Sequence, residues 1–241
     1  MSGHYPPALL LDWDTAFWDK RIARVSSYSP DSHAALESWA DDNAIDCLYL
    51  TLDPAASDMI HLAESSGFRL MDVRLEFRQQ LLASSGSSSP LVRSATPEDI
   101  SALAGIARCA HGQSRFFADP QFPEKRCRDF YARWICESVR GFADITLLLE
   151  EVPGRVAGYV TGHVEDDTGR IGLIAVSRDA QGKGFATQLL NSMIGRFAGM
   201  DLRAVDVATQ GSNRAARALY ERSGFRLEDI RLVFHRWMRG Q

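Results

Sequence analysis

Long apolar runs are missing from this 241-residue chain: the stretches at 8–11 and 145–149 fall far short of the roughly 20 residues that a membrane span needs. The first seven residues hold no basic segment, and no adequate apolar run follows them. No secretory signal is therefore read, and a cytoplasmic setting is expected. Cysteine is scarce. Cys47, Cys109, Cys127 and Cys136 show neither CxxC spacing nor metal-type pairing with histidine, which argues against a disulfide scaffold or a metal centre and predicts buried, reduced thiols. Lysine is scarcer still: only Lys20, Lys125 and Lys183 are present, so 24 of the 27 basic residues are arginine.

What is present describes an ordinary folded chain, with 45% apolar and 24% charged residues and a length that suits one large or two small domains. The net charge of -4 is unevenly spread. Residues 1–180 carry 17 basic and 26 acidic side chains, whereas residues 181–241 carry 10 and 5. Arginine forks suit phosphate and carboxylate, so the C-terminal quarter is expected to draw an anionic small molecule. A sequence pI of about 5.9 argues against nucleic acid as a partner.

The chain repeats itself. Ser66-Gly67-Phe68-Arg69-Leu70-Met71-Asp72-Val73-Arg74-Leu75-Glu76-Phe77 matches the twelve residues from Ser223 to Phe234 at a constant offset of 157 with three differences. In both copies a helical pattern stops at glycine and an alternating strand follows, so each copy closes as strand, helix, glycine, strand. At the same offset Asn213 faces Ala56 and Tyr220 faces Ala63, so the earlier copy lacks the two most chemically capable side chains of the later helix. The Ser/Gly run at 83–90 reads as a flexible linker. We therefore expect a degenerate structural half at 1–82 and the chemistry at 91–241.

Within 91–241, Thr96-Pro97-Glu98-Asp99 reads as a helix start, with the helix running to about Cys109. An irregular stretch at 111–123 and a second helix from Glu124 to Val139, stopped by Gly141, are expected next. Strands are predicted at 145–150, 156–164, 171–176, 203–209 and 227–237, with helices at 184–197 and 214–222.

The strongest local signal is Gln181-Gly182-Lys183-Gly184-Phe185-Ala186, set between a strand and a helix, where bare backbone amides can cradle a phosphate. The P-loop pattern fails, because Gly184 follows Lys183 and no glycine stands five residues before Gly182. A dinucleotide fingerprint is half met: Gly182, Gly184 and Asp206 fit, but Thr187 replaces the third glycine. The same residues match Q/R-x-x-G-x-G/A. With Ile174-Ala175-Val176 before them and Asn213 to Phe225 matching N-x-x-A-x-x-L-Y-x-x-x-G-F, the chain resembles the GNAT acetyltransferases over all of 91–241. The resemblance implies an α+β fold, a central mixed and mostly antiparallel sheet flanked by helices, preceded here by a reduced copy of itself. Segments at 113–116, 130–135, 139–141 and 207–210, and Trp13 to Trp18, further resemble the branch of that family that acetylates nucleotide-linked amino sugars. The longer loop at 177–183 and the pair Gly162-His163 depart from that branch.

The resemblance implies acetyl-CoA as cosubstrate and a small-molecule amine, a nucleotide sugar, as acceptor. Ile174, Ala175 and Val176 would meet the acetyl group and pantetheine arm, amides from Gln181, Gly182, Lys183, Gly184, Phe185, Ala186 and Thr187 the pyrophosphate, and Asn213 the cofactor, although a helix-capping role suits Asn213 equally. Tyr220 would be the general acid. Free tyrosine has a pKa near 10, about 1.5 units above a thiol, so it is better placed to hydrogen-bond a developing thiolate than to surrender its proton. No base stands out: His163 is a candidate, and Glu165 fits a solvated turn better. His111 and Arg115 could line the acceptor pocket, Arg115 on a phosphate or in a structural ion pair. Acetylation of another small amine or of a protein, or cofactor binding without turnover, remain alternatives, and the N-terminal half is left to shape the acceptor cleft or a homodimer contact.

Overall fold

The computed structural model describes residues 6–82 and 86–238. Among them the chain runs β1 (Ala8–Leu10), α1 (Asp12–Trp18), β2 (Ile22–Val25), α2 (Pro30–Asp42), β3 (Cys47–Leu52), α3 (Ser57–Ser65), β4 (Arg69–Gln80), β5 (Val92–Ser94), α4 (Ile100–Ala110), α5 (Arg115–Ala118), α6 (Glu124–Glu137), β6 (Ile145–Val152), β7 (Arg155–Glu165), β8 (Thr168–Val176), α7 (Phe185–Ala198), β9 (Ala204–Gln210), α8 (Arg214–Arg222) and β10 (Arg226–Trp237). This is the expected α+β fold of mixed sheet and flanking helices.

Local chemistry sets the boundaries. Ser29 and Ser32 cap α2 reciprocally, with Pro30 at its first position. Thr96 and Asp99 do the same before α4, but they enclose a short 3-10 turn, Pro97–Asp99, so the helix starts at Ile100. α6 stops at Glu137, and a π turn, Ser138–Phe142, carries the chain past Gly141. α5 falls in the stretch expected to be irregular; four residues are too few to show a helical period.

Two compact units result. The first comprises residues 1–74, 118–121 and 230–241. Its strands lie in the order β1-β2-β3-β10, with β2 and β3 parallel and the other two pairings antiparallel. Leu36, Ile45, Leu48, Leu50, Phe68 and Phe234 form its buried core. The second comprises residues 75–117 and 122–229. Its strand order is β4-β9-β8-β7-β6-β5: β5 to β8 are antiparallel neighbours, and β9 runs parallel to β8. The units thus depart from the linear division at 82 and 91, because the 12-residue strands β4 and β10 each contribute to both.

Two further expectations are corrected. None of the four cysteines is in a disulfide, but only Cys47 and Cys127 are buried: Cys136 is half-buried and Cys109 exposed. Residues 83–85 of the expected linker lie outside the described residues, whereas residues 86–89 are tied to α7: Ser87 N–H donates to Asn191 O at 3.3 Å, and Ser89 Oγ to Gln188 Oε1 at 2.8 Å. Gly86 makes this possible. It has φ +74°, and a Cβ there would stand 2.3 Å from Gly195 N.

Candidate active site

The second unit's sheet parts between β8 and β9. β8 pairs with β9 from Thr168↔Ala204 to Ile171↔Val207, and the pairing ends there although both strands continue, to Val176 and Gln210. Among the described residues, β8 beyond Ile171 is paired only with β7, through Val160↔Ile174, Tyr159↔Ala175 and Gly158↔Val176. The β9-facing side of residues 172–176 therefore offers main-chain groups that the sheet does not use. Two residues of β8, Gly172 and Leu173, oppose the single Thr161 of β7, a bulge in which Thr161 Oγ1 accepts from Leu173 N at 2.9 Å.

The faces of β7 are distinct. A Cβ on Gly158 would stand 3.0 Å from Leu189, and one on Gly162 would stand 2.7 Å from Met193 and Phe197, so residues 158, 160 and 162 face α7. Tyr159, Thr161 and His163 project from the opposite face.

The glycine loop follows β8 directly. A 3-10 turn, Arg178–Ala180, leads to Gln181, and then Gly182 (φ +79°) and Gly184 (φ +78°) bring the chain into α7. Nothing lies within 4 Å of either glycine's missing Cβ. Gly184 is the N-cap of α7 and supplies no side-chain cap, and the first turn holds no acid. The amides of Phe185, Ala186 and Thr187 are thus left at the positive end of a 14-residue helix. Lys183 Nζ is bound to Glu151 at 2.7 Å, and Arg155 binds both Glu151 and Asp179.

The expected positive field of the C-terminal quarter is weakened by such pairs. Arg203 meets Asp167, Arg217 meets Glu221, Arg231 meets Asp53 and Arg236 meets Glu37. Uncapped backbone amides, more than side-chain charge, are what this loop has to offer an anion. The dinucleotide alternative loses its acid, because both oxygens of Asp206 are held by Arg78 at 2.7 Å.

α8 carries Asn213 and Tyr220. Asn213 is the N-cap, its Oδ1 accepting from Ala216 N at 3.1 Å, so the capping role is realised. Tyr220 is 2% exposed, with its ring 5.8 Å from those of Phe77 and Phe225. Its hydroxyl makes no hydrogen bond among the described residues, and burial pushes its pKa well above the ordinary phenol value.

Of the other expected residues, His163 stands nearest to the unpaired part of β8, its Nε2 3.1 Å from where a Cβ on Gly172 would be. His111 follows α4 directly, its ring stacked on Tyr131 at 4.5 Å and its Nε2 2.9 Å from the Tyr159 hydroxyl. Burial lowers its pKa to about 4. Arg115 opens α5 with its guanidinium over the Phe116 ring at 4.7 Å. His163 meets the Phe142 ring edge-on at 5.4 Å, and Glu165 pairs with Arg170 on the surface at 2.9 Å.

Two clusters escape sequence reasoning. One is His111, Tyr131 and Tyr159, which only the β7 alternation could have hinted at. The other lies in the first unit, where Asp119 Oδ2 accepts from Trp237 Nε1 at 3.0 Å and lies 2.7 Å from His235 Nδ1, with both members of that pair sealed from solvent. A separation of 116 residues gives no local pattern to read.

Comparison with known proteins agrees with this geometry. Residues 107–225 match the model of the Acetyltransferase (GNAT) family. The dTDP-fucosamine acetyltransferase of Escherichia coli O6:H1 is 29% identical over 231 residues, which cover 94% of this chain and 96% of that protein. The spore coat polysaccharide biosynthesis protein SpsD of Bacillus subtilis is 31% identical over 141 residues, covering 58% of this chain and 48% of SpsD, so the chain spans about half of that protein's length. Among solved structures, a GCN5-related N-acetyltransferase from Sphaerobacter thermophilus shares the fold with a TM-score of 0.67 at 19% identity, over 97% of this chain and 76% of that one. Motif order, sheet geometry and family match converge: the chain carries a GNAT acetyltransferase domain.

Proposed function

We propose that this chain moves an acetyl group from acetyl-CoA to the amine of a nucleotide-linked amino sugar by direct attack of the amine on the thioester. The observation that carries the acyl-transfer part is the parting of β8 from β9 directly before an uncapped, glycine-led helix start. An extended thioester arm fits along residues 172–176, and a pyrophosphate fits the loop that follows. The acceptor class is supported by the likeness to the dTDP-fucosamine acetyltransferase over nearly the whole of both chains.

Acetyl-CoA supplies the activated acyl group. The chain's part is to hold and orient. Main-chain groups of Ile174, Ala175 and Val176 align the arm and polarise the carbonyl. Amides of Gln181, Gly182, Lys183, Gly184, Phe185, Ala186 and Thr187 receive the pyrophosphate at the helix dipole's positive end. Asn213 keeps α8 in place with Oδ1, which leaves Nδ2 for the cofactor. Tyr220 acts as the acid by offering its hydroxyl proton to the departing sulfur. Its burial keeps that proton on the phenol, so it stabilises the thiolate chiefly as a donor, and the proton that the amine gives up passes through water to balance the departing thiolate. His111, Arg115 and His163 line the acceptor side. Residues 1–82 are a structural copy without that chemistry.

The test is thiol release from acetyl-CoA with a panel of dTDP-linked amino sugars, beside simple amines and peptides. Turnover confined to one amino sugar supports the reading. Turnover only on other amines rejects the acceptor, and binding of acetyl-CoA without turnover on anything rejects the enzyme.

A further inference from the structure

Tyr159 sits in the middle of β7, fully buried, on the face turned away from α7 and paired across the strands with Ala175 of β8. Among the described residues its hydroxyl has one hydrogen-bond partner, His111 Nε2 at 2.9 Å. A buried hydroxyl carries a proton that needs an acceptor, and leaving it unpaired is costly. Were His111 to donate from Nε2, the Tyr159 proton would have nowhere to go. The hydroxyl therefore donates to Nε2, and a neutral ring then bears its own proton on Nδ1. Stacking on Tyr131, with the ring planes 26° apart, fixes the direction of that N–H. His111 is partly exposed where Tyr159 is sealed, so the Nδ1 edge is the open one, and it has no partner among the described residues.

The ring stays uncharged at neutral pH. The titratable groups that face it are the phenols of Tyr131 on α6 and Tyr159 on β7, and burial is the one influence on its pKa. Arg108, in the last turn of α4, is engaged by Asp129. A neutral single donor gives a phosphate no compensating charge, but it matches an uncharged oxygen well.

We propose that His111 is a specificity-determining donor: held by Tyr159 in its Nδ1–H form, it hydrogen-bonds an uncharged oxygen, hydroxyl or carbonyl, of the acyl acceptor. The contact rests on the acetyltransferase reading given above, whereas the tautomer is a property of the protein alone.

Long-range proton–nitrogen correlation spectra of the full chain, labelled at histidine and assigned with His111→Ala, test the lock without any substrate. The expected spectrum at neutral pH shows a protonated Nδ1 and a bare Nε2, with the Nε2–H form emerging in Tyr159→Phe. A wild-type ring protonated at Nε2 overturns the proposal. In steady-state kinetics, loss of one neutral hydrogen bond predicts a rise of about tenfold in acceptor KM for His111→Ala, with acetyl-CoA KM unchanged. His111→Asn, whose side-chain N–H can stand near the Nδ1 position, restores most of it. An unchanged acceptor KM in His111→Ala overturns the contact even if the lock is seen. Acceptors lacking one sugar hydroxyl, or the pyrimidine, separate the two oxygen sources: the group whose loss harms the wild type but not His111→Ala carries the contact. If acetyl-CoA binds and no acceptor turns over, the reading underneath fails and the contact with it, while the spectrum still judges the lock.

Discussion

Ile171 is the last residue of β8 to pair with β9, opposite Val207, and the bulge at Gly172 and Leu173 begins at the next residue. The bulge is stitched on its other side by Thr161, whose hydroxyl takes the Leu173 N–H at 2.9 Å in a buried setting. Thr161→Val keeps the shape and removes the acceptor, orphaning a buried amide. Stability is expected to fall by about 1–3 kcal/mol in denaturant unfolding. Acetyl-CoA KM should rise as well, because the strand beyond the bulge loses its register. A variant with unchanged KM would separate the bulge from cofactor binding.

Gly184 holds φ +78° and ψ 7° at the start of α7, with open space where a side chain would be. Alanine there meets backbone strain rather than a clash, at a cost of about 1–2 kcal/mol. Calorimetry on Gly184→Ala should show acetyl-CoA affinity weakened by about tenfold if relaxation of the loop turns the amides away. Gly184→Asn, which tolerates the left-handed region, should lose less of both. Equal affinity in all three proteins would sink the pyrophosphate assignment.

Tyr220→Phe leaves the packing against Phe77 and Phe225 in place and deletes only the hydroxyl. Loss of a transition-state donor predicts a kcat lower by roughly 10²–10³-fold with acetyl-CoA KM little changed. Because burial raises the phenol's pKa, its proton-bearing form persists above pH 10. The alkaline fall of kcat, if any is seen below pH 10, should therefore be the same shape in wild type and mutant.

Much of this was legible beforehand, for reasons that differ element by element. The helices α6, α7 and α8 and the strands β6 to β9 carry clear periods, and Gly67 and Gly224 mark their repeats with positive φ, 85° and 89°. The glycine loop was readable as a positive-φ turn into α7, which glycine announces. The contact of His111 with Tyr159 was not, since 48 residues separate them and neither side chain is unusual where it stands. Nor was the strap at 86–89: the bonds of Ser87 N–H and Ser89 Oγ to α7 leave no period, so the run looks like a linker. The total charge of the last quarter overstates its field, because Arg203, Arg231 and Arg236 find their acids elsewhere in the chain.

Asp99 tests the electrostatics of the second unit. Hydrogen bonds from Arg93, at 2.8 Å to each oxygen, lower its pKa to about 2, and it also accepts from Thr96 N at 2.8 Å. A carboxylate whose folded pKa lies below its unfolded value near 3.9 contributes stability above about pH 4 and loses it as the pH falls through 2. Arg93 is 43% exposed, so screening holds the contribution to about 1 kcal/mol. Asp99→Asn should be less stable than wild type by that amount at pH 7. The two unfolding curves should draw together between pH 4 and pH 2 and converge below it, and a difference that stays constant with pH would point to capping geometry instead.

The repeat makes the last prediction. Ala56 caps α3 with φ -83° and ψ 61°, and Asn213 caps α8 with φ -83° and ψ 74°, so the backbones agree although only asparagine supplies a side-chain acceptor. The helix ends agree too. Phe68 N donates to Ala63 O at 2.9 Å as Phe225 N does to Tyr220 O at 3.0 Å, and each following strand begins at the same step. The earlier copy thus keeps the geometry of a capped helix without the cap. Ala56→Asn should stabilise the protein by about 0.5–1 kcal/mol, and Asn213→Ala should destabilise it by a similar amount. Thermal unfolding measures both. Thiol release adds the discriminating readout: an effect of Asn213→Ala on acetyl-CoA KM beyond that of an equally destabilising change elsewhere marks a cofactor contact, whereas a pure stability loss leaves Asn213 as the cap alone. Ala56→Asn should leave catalysis untouched, because the copy that holds it lacks the tyrosine seven residues on.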